Sequence, residues 1–354
     1  MTEQTSAALG ATRDAARVSR PDFSDHALLR ASLVECIRAA KGGAAATEIA
    51  GRLWPSDHAT QAVIKAAVAP GTTGTHTGLQ QAAVSSFLKG LPASAAAAIM
   101  RESVVIPDLG YSDLKAPYDN STVTESPWVG EAEPIPVYSG VIGSVNAGAV
   151  RKMAFIHAFT RELFAKPGAE ALFRSMIEAR AATIFDTALF ADTAGDATAV
   201  AGLLNGLTEC FPARGQNYGE ALAALVGALG GFKGSGRALI ATDPVTAAAL
   251  AIKYPMLKWP VFASSSLPTG RIVAVDPAGV VFGTSGTFDL LATQSAILHM
   301  SDEPAEIVTD AAAVADPVRE LWQTDGIAFR LMVWITWAAK PGAVQFCDVG
   351  TPVF

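Results

Sequence analysis

The side chains able to do chemistry are few and set apart. Histidines stand at 26, 58, 76, 157 and 299, and no two fall at the H-x-x-x-H or H-E-x-x-H spacing that aims two imidazoles at one zinc ion. His157 lies in an apolar run between Phe155 and Phe159, where a hydrogen-bonded core or interface imidazole is expected. Cys36, Cys210 and Cys347 are far apart and form no C-x-x-C pair. They read as reduced thiols rather than as a zinc site or disulfide framework. Glu131 and Glu133, two apart in "WVGEAEPIPVY", would share one face of a strand and could serve as an acid pair. A proline-flanked surface segment offers no burial to make one an acid and the other a base, so a solvated or salt-bridged face is expected. "GALGGFKGSG" lacks the G-x-x-x-x-G-K-[ST] spacing of a phosphate loop, "GTTGTHTG" also fails G-x-G-x-x-G, and "FGTSGT" puts Ser285 on no nucleophile elbow. The reading is therefore of no catalytic residue, no cofactor and no metal site, and of a protein that is not an enzyme.

Composition says what the chain needs instead. Half of its 354 residues are hydrophobic and 17% are charged, against roughly 25% in an average soluble domain, which implies surface that something else covers. A bilayer would need about 18 consecutive apolar residues. "ALAALVGALGG" is too short, "IAFRLMVWITWAA" carries Arg330, and the first 25 residues hold no run of signal-peptide type. The expectation is a soluble, cytoplasmic, oligomeric chain whose cover is other protein. A net charge of −7 argues against a main task of gripping phosphate backbones.

Periodicity predicts the elements. Ser24 and Ser56 stand as N-caps before "DHALLRASLVECIRAAKGG", with Leu28, Leu29, Leu33 and Ile37 on one stripe, and before "DHATQAVIKAAVA". Short helices near 79–89 and 92–100 complete an alanine-rich arm. Residues 102–150 are β-branched and punctuated by prolines at 117, 127, 134 and 136, which suits a long excursion of two strands. Met153, Phe155, His157 and Phe159 then alternate with Lys152, Ala154, Ile156 and Thr160 as one half-buried strand. Residues 166–192 predict a helix with Phe173, Met176, Ile177, Ile184, Ala188 and Leu189 inward, roughly 36 Å long at 1.5 Å per residue. Residues 196–275 read as a small α/β domain, with a helix over 219–229, the strand "RALIATD" and a helix capped by Asp243 with Pro244 first. "TFDLLATQSAILHM", "AEIVTD" and "GIAFRLMVWITWAA" predict strands that pair with the one at 150–160 and pack on the long helix.

This order of elements resembles the major capsid proteins of tailed bacteriophages, the Hong Kong ninety-seven fold. Residues 128–164 are similar to the family's W-x-G-E…P stretch of the extended E-loop, followed by a strand with a basic pair and the E-L leading to the spine helix. "GLLNGL" (202–207) resembles the entry to the axial domain, "WPVFASSSLPTGRIVAVD" (259–276) a strand, loop and strand within it, and "ELWQTDGIAFRLMVWITWAAKPGAV" (320–344) the closing strand of the peripheral domain. The resemblance covers about residues 100–345 in order and spacing.

It implies an α+β fold with a helical N-terminal region and arm (1–100), an extended E-loop hairpin (101–150), a peripheral domain with the spine helix (151–195), an axial domain (196–278) and returning peripheral strands (279–354). It further implies a structural protein that assembles in the bacterial host cytoplasm, as hexamers and pentamers of an icosahedral virion shell around double-stranded DNA. Portal and possible scaffold or decoration proteins would be its other partners. The DNA would be touched weakly and nonspecifically, with Arg174, Glu178 and Arg180 giving the spine helix mixed charge. Trp128, Glu131, Glu133, Pro134, Pro136 and Tyr138 become inter-subunit contacts, because an E-loop lies across a neighbouring subunit. The first 70 residues are shorter than the scaffolding segment of many members, and no lysine and asparagine pair for cross-linking can be placed. An encapsulin-like compartment and an oligomeric hydrolase are the alternatives.

Overall fold

Alternation along the sequence becomes two larger sheets and two two-stranded ribbons among the described residues, with one long helix packed on the largest sheet. The computed structural model describes residues 45–58, 94–107, 113–119, 142–164, 169–210, 218–230, 237–285, 289–301 and 318–350, with single residues and short runs between 30 and 91 and at 109, 128 and 129. Helices α1 (Ala46–Leu53) and α2 (Ala95–Glu102) precede strands β1 (Val104–Pro107), β2 (Asp113–Asp119), β3 (Ile142–Ala149) and β4 (Arg151–Thr160). The turn α3 (Arg161–Phe164) leads to the long helix α4 (Ala169–Leu189). Next come α5 (Tyr218–Gly230), β5 (Leu239–Thr242), α6 (Pro244–Lys253), β6 (Val261–Ala263), β7 (Arg271–Val275) and β8 (Val280–Thr284). The chain closes with β9 (Asp289–Thr293), β10 (Ile297–His299), β11 (Val318–Glu320), β12 (Gly326–Ala339) and β13 (Val344–Asp348).

The larger sheet runs β1-β8-β12-β4, with β9 also on β12. Its centre is β12, whose Ile327, Phe329, Leu331, Val333, Ile335 and Trp337 are all buried, as period-two alternation requires. One edge of β12 takes β4, and the other takes β9 and then β8. Helix α4 packs on this sheet through Phe173, Ile177, Ala181, Phe185 and Leu189, which recur every four residues. Phe185 meets Phe282 and Trp337 at 6.3 Å between ring centroids. The expected stripe is corrected at Met176, which is 39% exposed, and gains Phe185.

Asp186 also points inward and is buried. Its carboxylate accepts from Ser94 Oγ (2.5 Å), Ala95 N (3.2 Å) and Ala96 N (2.9 Å), while Ser94 Oγ accepts from Ala97 N at 2.9 Å. The unpaired amides that open α2 are thus capped from its own side by Ser94 and from α4 by a full negative charge. Nearer the start, Asp57 caps the following turn by accepting from Thr60 N and Thr60 Oγ1. The cap is one residue after the expected Ser56. Ser24, the stripe Leu28, Leu29, Leu33 and Ile37, the loop 70–78 and "AEIVTD" lie outside the described residues.

The second sheet runs β13-β7-β5-β6. β5 and β6 are parallel, and α6 supplies the crossover that parallel neighbours require. Asp243 accepts from Val245 N and Thr246 N to cap α6 and from Gly270 N to fix the turn before β7. β13 pairs with β7, so the last strand leaves the larger sheet and completes the smaller one. Helix α5 covers it with Ala221, Leu222, Leu225 and Leu229.

His157 sits on β4 with its ring stacked on Phe159 (5.6 Å, 11°) and edge-on to Phe155 (5.5 Å, 81°). Burial lowers its pKa, and the charge of Arg180 lowers it further. Its Nε2 is buried without a hydrogen-bond partner among the described residues, and the ring packs as an aromatic between Phe155 and Phe159. The folded chain favours the neutral ring, so the stability it contributes is present above about pH 6.5, the ordinary value, and is lost as pH falls through the lowered one. His157→Phe should flatten that part of a plot of urea midpoint against pH. An unchanged slope would place the titration elsewhere.

Candidate functional site

The sequence-predicted contact residues belong to the excursion between β1 and β4, and its root is described. β2 and β3 form a separate antiparallel ribbon. Leu114 and Ala116 turn inward and meet Val281, Ile106, Leu109 and Ala147, while Asp113, Lys115 and Pro117 face out. The register shifts between Leu114 and Lys115, opposite Gly148, whose φ is +70° and whose N donates to Asn146 Oδ1 at 2.9 Å. A bulge of this kind, with glycine in the left-handed region, bends a ribbon and increases its twist.

Two bonds fix the root: Thr336 Oγ1 donates to Ala147 O at 3.0 Å and Leu109 N to Thr284 O at 3.2 Å. Gly283 makes the close approach possible, since a Cβ there would stand 2.0 Å from Leu109 Cδ1. Further out, the Tyr118 ring lies across Gly143, whose Cβ would come within 2.5 Å of it, and Lys340 Nζ stands 5.9 Å from the ring centroid. β3 passes through Val150 into β4, so the ribbon is continuous with the larger sheet.

Beyond the root, Trp128 is 88% exposed. Glu131, Glu133, Pro134, Pro136 and Tyr138 lie outside the described residues. Ile142 on β3 is 77% exposed. Other exposed apolar residues went unremarked in the sequence. Val245 and Ile252 lie on one side of α6, with Met256 beyond it at 92% exposure, while Ile297 and Trp322 flank the β10–β11 pair. Nothing in composition separates these from core residues. The sequence carried no signal for them, since Met256 and Trp322 stand in turns and the exposure of the others depends on what the rest of the chain leaves uncovered.

A cleft of about 280 Å³ opens between β3, the turn at 200–207 and the end of β12, with Asn146, Asn205, Trp337 and Lys340 on its wall. Trp337 Nε1 donates to Ala201 O at 2.8 Å. Among the described residues no three of His, Cys, Asp and Glu come together as a metal would require. Nor is any described helix long and apolar enough to cross a membrane. Ser285 is buried, its N donating to Trp334 O. Glu178 is half-buried and Arg180 exposed on α4.

No family model and no curated protein matches the chain. Among solved structures, a chain from Microbacterium phage Oxtober96 is similar at 12% identity, over 73% of this chain and 91% of that one, with a TM-score of 0.48. A chain from Mycobacterium phage Bobi is similar at 12% identity, over 72% and 90%, with a TM-score of 0.47. The chain is also similar to one from the capsid of the native GTA particle, at 13% identity over 73% of this chain and 91% of that one, with a TM-score of 0.46.

Proposed function

We propose that the chain is a major capsid protein of a tailed bacteriophage, with the Hong Kong ninety-seven fold, which self-associates into the hexamers and pentamers of a shell around double-stranded DNA. The observation that carries this reading is the spread of exposed apolar side chains over several separate elements: Trp128, Ile142 on the ribbon, Val245, Ile252 and Met256 on the smaller lobe, and Ile297 and Trp322 beside the β10–β11 pair. Single exposed aliphatic residues are ordinary, but Trp128 and Trp322 are large aromatics exposed by 88% and 75%, the residue type that partner surfaces bury. A single twofold contact buries one patch, whereas a closed shell gives each subunit neighbours on several sides. In this reading the ribbon is the root of the E-loop, α4 is the spine helix and the β13-β7-β5-β6 lobe is the axial domain. Portal, scaffold or decoration proteins would be further partners.

Purified protein under assembly conditions should sediment as hexamers, pentamers or particles, and negative-stain images should show shells. A stable monomer, with no scaffold or chaperone missing, would overturn the reading. Trp128→Ala should impair assembly while leaving the melting of the isolated subunit unchanged, since an interface aromatic is worth about 2 kcal/mol or more. Normal assembly combined with early melting would place Trp128 in its own subunit's core. Duplex DNA should bind no tighter than about 10⁻⁴ to 10⁻⁶ M at physiological salt, given the acidic chain.

A further inference from the structure

We propose that Cys210 and Cys347 form a disulfide on oxidation, tying the segment that enters the smaller lobe to the strand that completes it. Cys210 N donates to Phe346 O at 3.0 Å, which lays residue 210 along the outer edge of β13. Backbones joined in this way run about 5 Å apart, inside the Cα separation of roughly 4.4–6.8 Å that a disulfide accepts. Side-chain direction agrees. On β13, Val344 and Phe346 belong to the main core, whereas Cys347 and the following Val349 belong to the cluster under α5, against which Cys210 also packs. The flanking residues hold this register. Asp348 N donates to Glu209 Oε1 at 2.9 Å, and Asp348 takes two bonds from Arg271 at 2.8 and 2.9 Å.

The order of reaction follows from exposure. Cys347 is fully buried and Cys210 half-buried. Burial pushes the Cys347 thiol up to about 12, with Cys210 adding to the shift, and burial also raises Cys210. Both thiols are therefore poorly ionised near neutral pH, and oxidation should be slow and quicken as pH rises. Cys210 loses its proton and attacks one sulfur of a small disulfide such as oxidised glutathione, whose S–S bond breaks and releases one glutathione thiol. Cys347 then loses its proton and attacks Cys210 Sγ, and the second glutathione leaves as a thiol. Two electrons and two protons pass from the pair to the oxidant.

The test treats the full folded chain with oxidised glutathione, quenches by acid and alkylates in denaturant. The intact mass should fall by about 2 Da relative to the reduced chain before alkylation. Alkylatable thiols should drop from the three of the sequence to one, and peptide mapping should join Cys210 to Cys347. The melting temperature should rise with oxidation and return with reductant. Cys210→Ser should abolish the mass loss, while Cys36→Ser should leave it intact. Recovery of Cys210 and Cys347 as separate alkylated peptides, glutathione retained on Cys210, or a link through Cys36 would each overturn the pairing.

Discussion

Asp186→Ala is expected to destabilise the folded chain by about 3 kcal/mol or more, the largest loss from truncating a single polar side chain here. Three donors at the start of α2 lose a buried carboxylate at once, and no water reaches that part of the core easily because Ala95, Ala96 and Ala97 are themselves buried. Each bond to an ionised group is worth about 1.5–3 kcal/mol, and the helix also loses an anion at its positive end. Asp186→Asn should fall between, since one amide oxygen can still accept. Urea midpoints at constant slope read both values. A loss below about 1 kcal/mol for the alanine variant would mean that Ser94 alone caps the helix.

Gly202→Ala is expected to be comparably severe, although it adds one methyl group. A Cβ at residue 202 would stand 1.9 Å from Ala191 O and 2.4 Å from Ala191 C, so backbone must move. That backbone is bonded on every side. Leu203 N donates to Leu189 O, Leu204 N to Ala191 O and Gly202 N to Thr193 O, joining the end of α4 to the segment that leads into the smaller lobe. Overpacking without room to relax costs about 1–3 kcal/mol and sometimes more, and the upper end is expected. Gly227→Ala is the matched control. Nothing lies within 4 Å of its Cβ position on α5, and replacing a helical glycine should stabilise by up to about 1 kcal/mol. If both variants melt at the same temperature, the close packing at residue 202 is not a constraint in solution.

The larger sheet was legible through β4 and the middle of β12, which bury one face more than the other, whereas β8 is buried throughout. Ile327 to Trp337 on β12 and Met153 to Phe159 on β4 alternate cleanly, and they pair as their patterns require. The long helix was legible in extent but not fully in register, because Leu172 and Met176 lie on its outer face and blur the apolar stripe. Helix α1 was missed because Ala45 offers no side-chain cap, and its Arg52–Glu48 pair at 2.7 Å is only a weak signal. β13 gave no sign of which sheet it would join, since a five-residue strand carries too few alternations to name a partner. Asp186 was overlooked, yet an acid in phase with Ala182, Phe185 and Leu189 is the kind of inward charge that must have a partner. Of the exposed apolar residues, the sequence pointed to Trp128. It could not point to Ile252, Met256 or Trp322, whose exposure depends on what the rest of the chain leaves uncovered.

The run from β3 through Val150 into β4 has a mechanical consequence. A pull on the ribbon directed along β4 would not peel that strand from the sheet one bond at a time. The ten residues of β4 lie against β12 from Gly326 to Ile335, so the whole ladder would be sheared together and its bonds would have to fail together. The far edge of β12 is held by β9 and β8 in series, and its end continues through a short turn to β13 in the smaller lobe. The hold must come from β9 or from the Gly326 end of β12, because Ile335 lies opposite Arg151 and a load leaving through β13 would act at the same end as the ribbon and unzip the ladder. If the chain forms the shell proposed above, a pull on the ribbon opposed at the Gly326 end of β12 would load the subunit along its longest ladder, and the ten residues of β4 would resist as one.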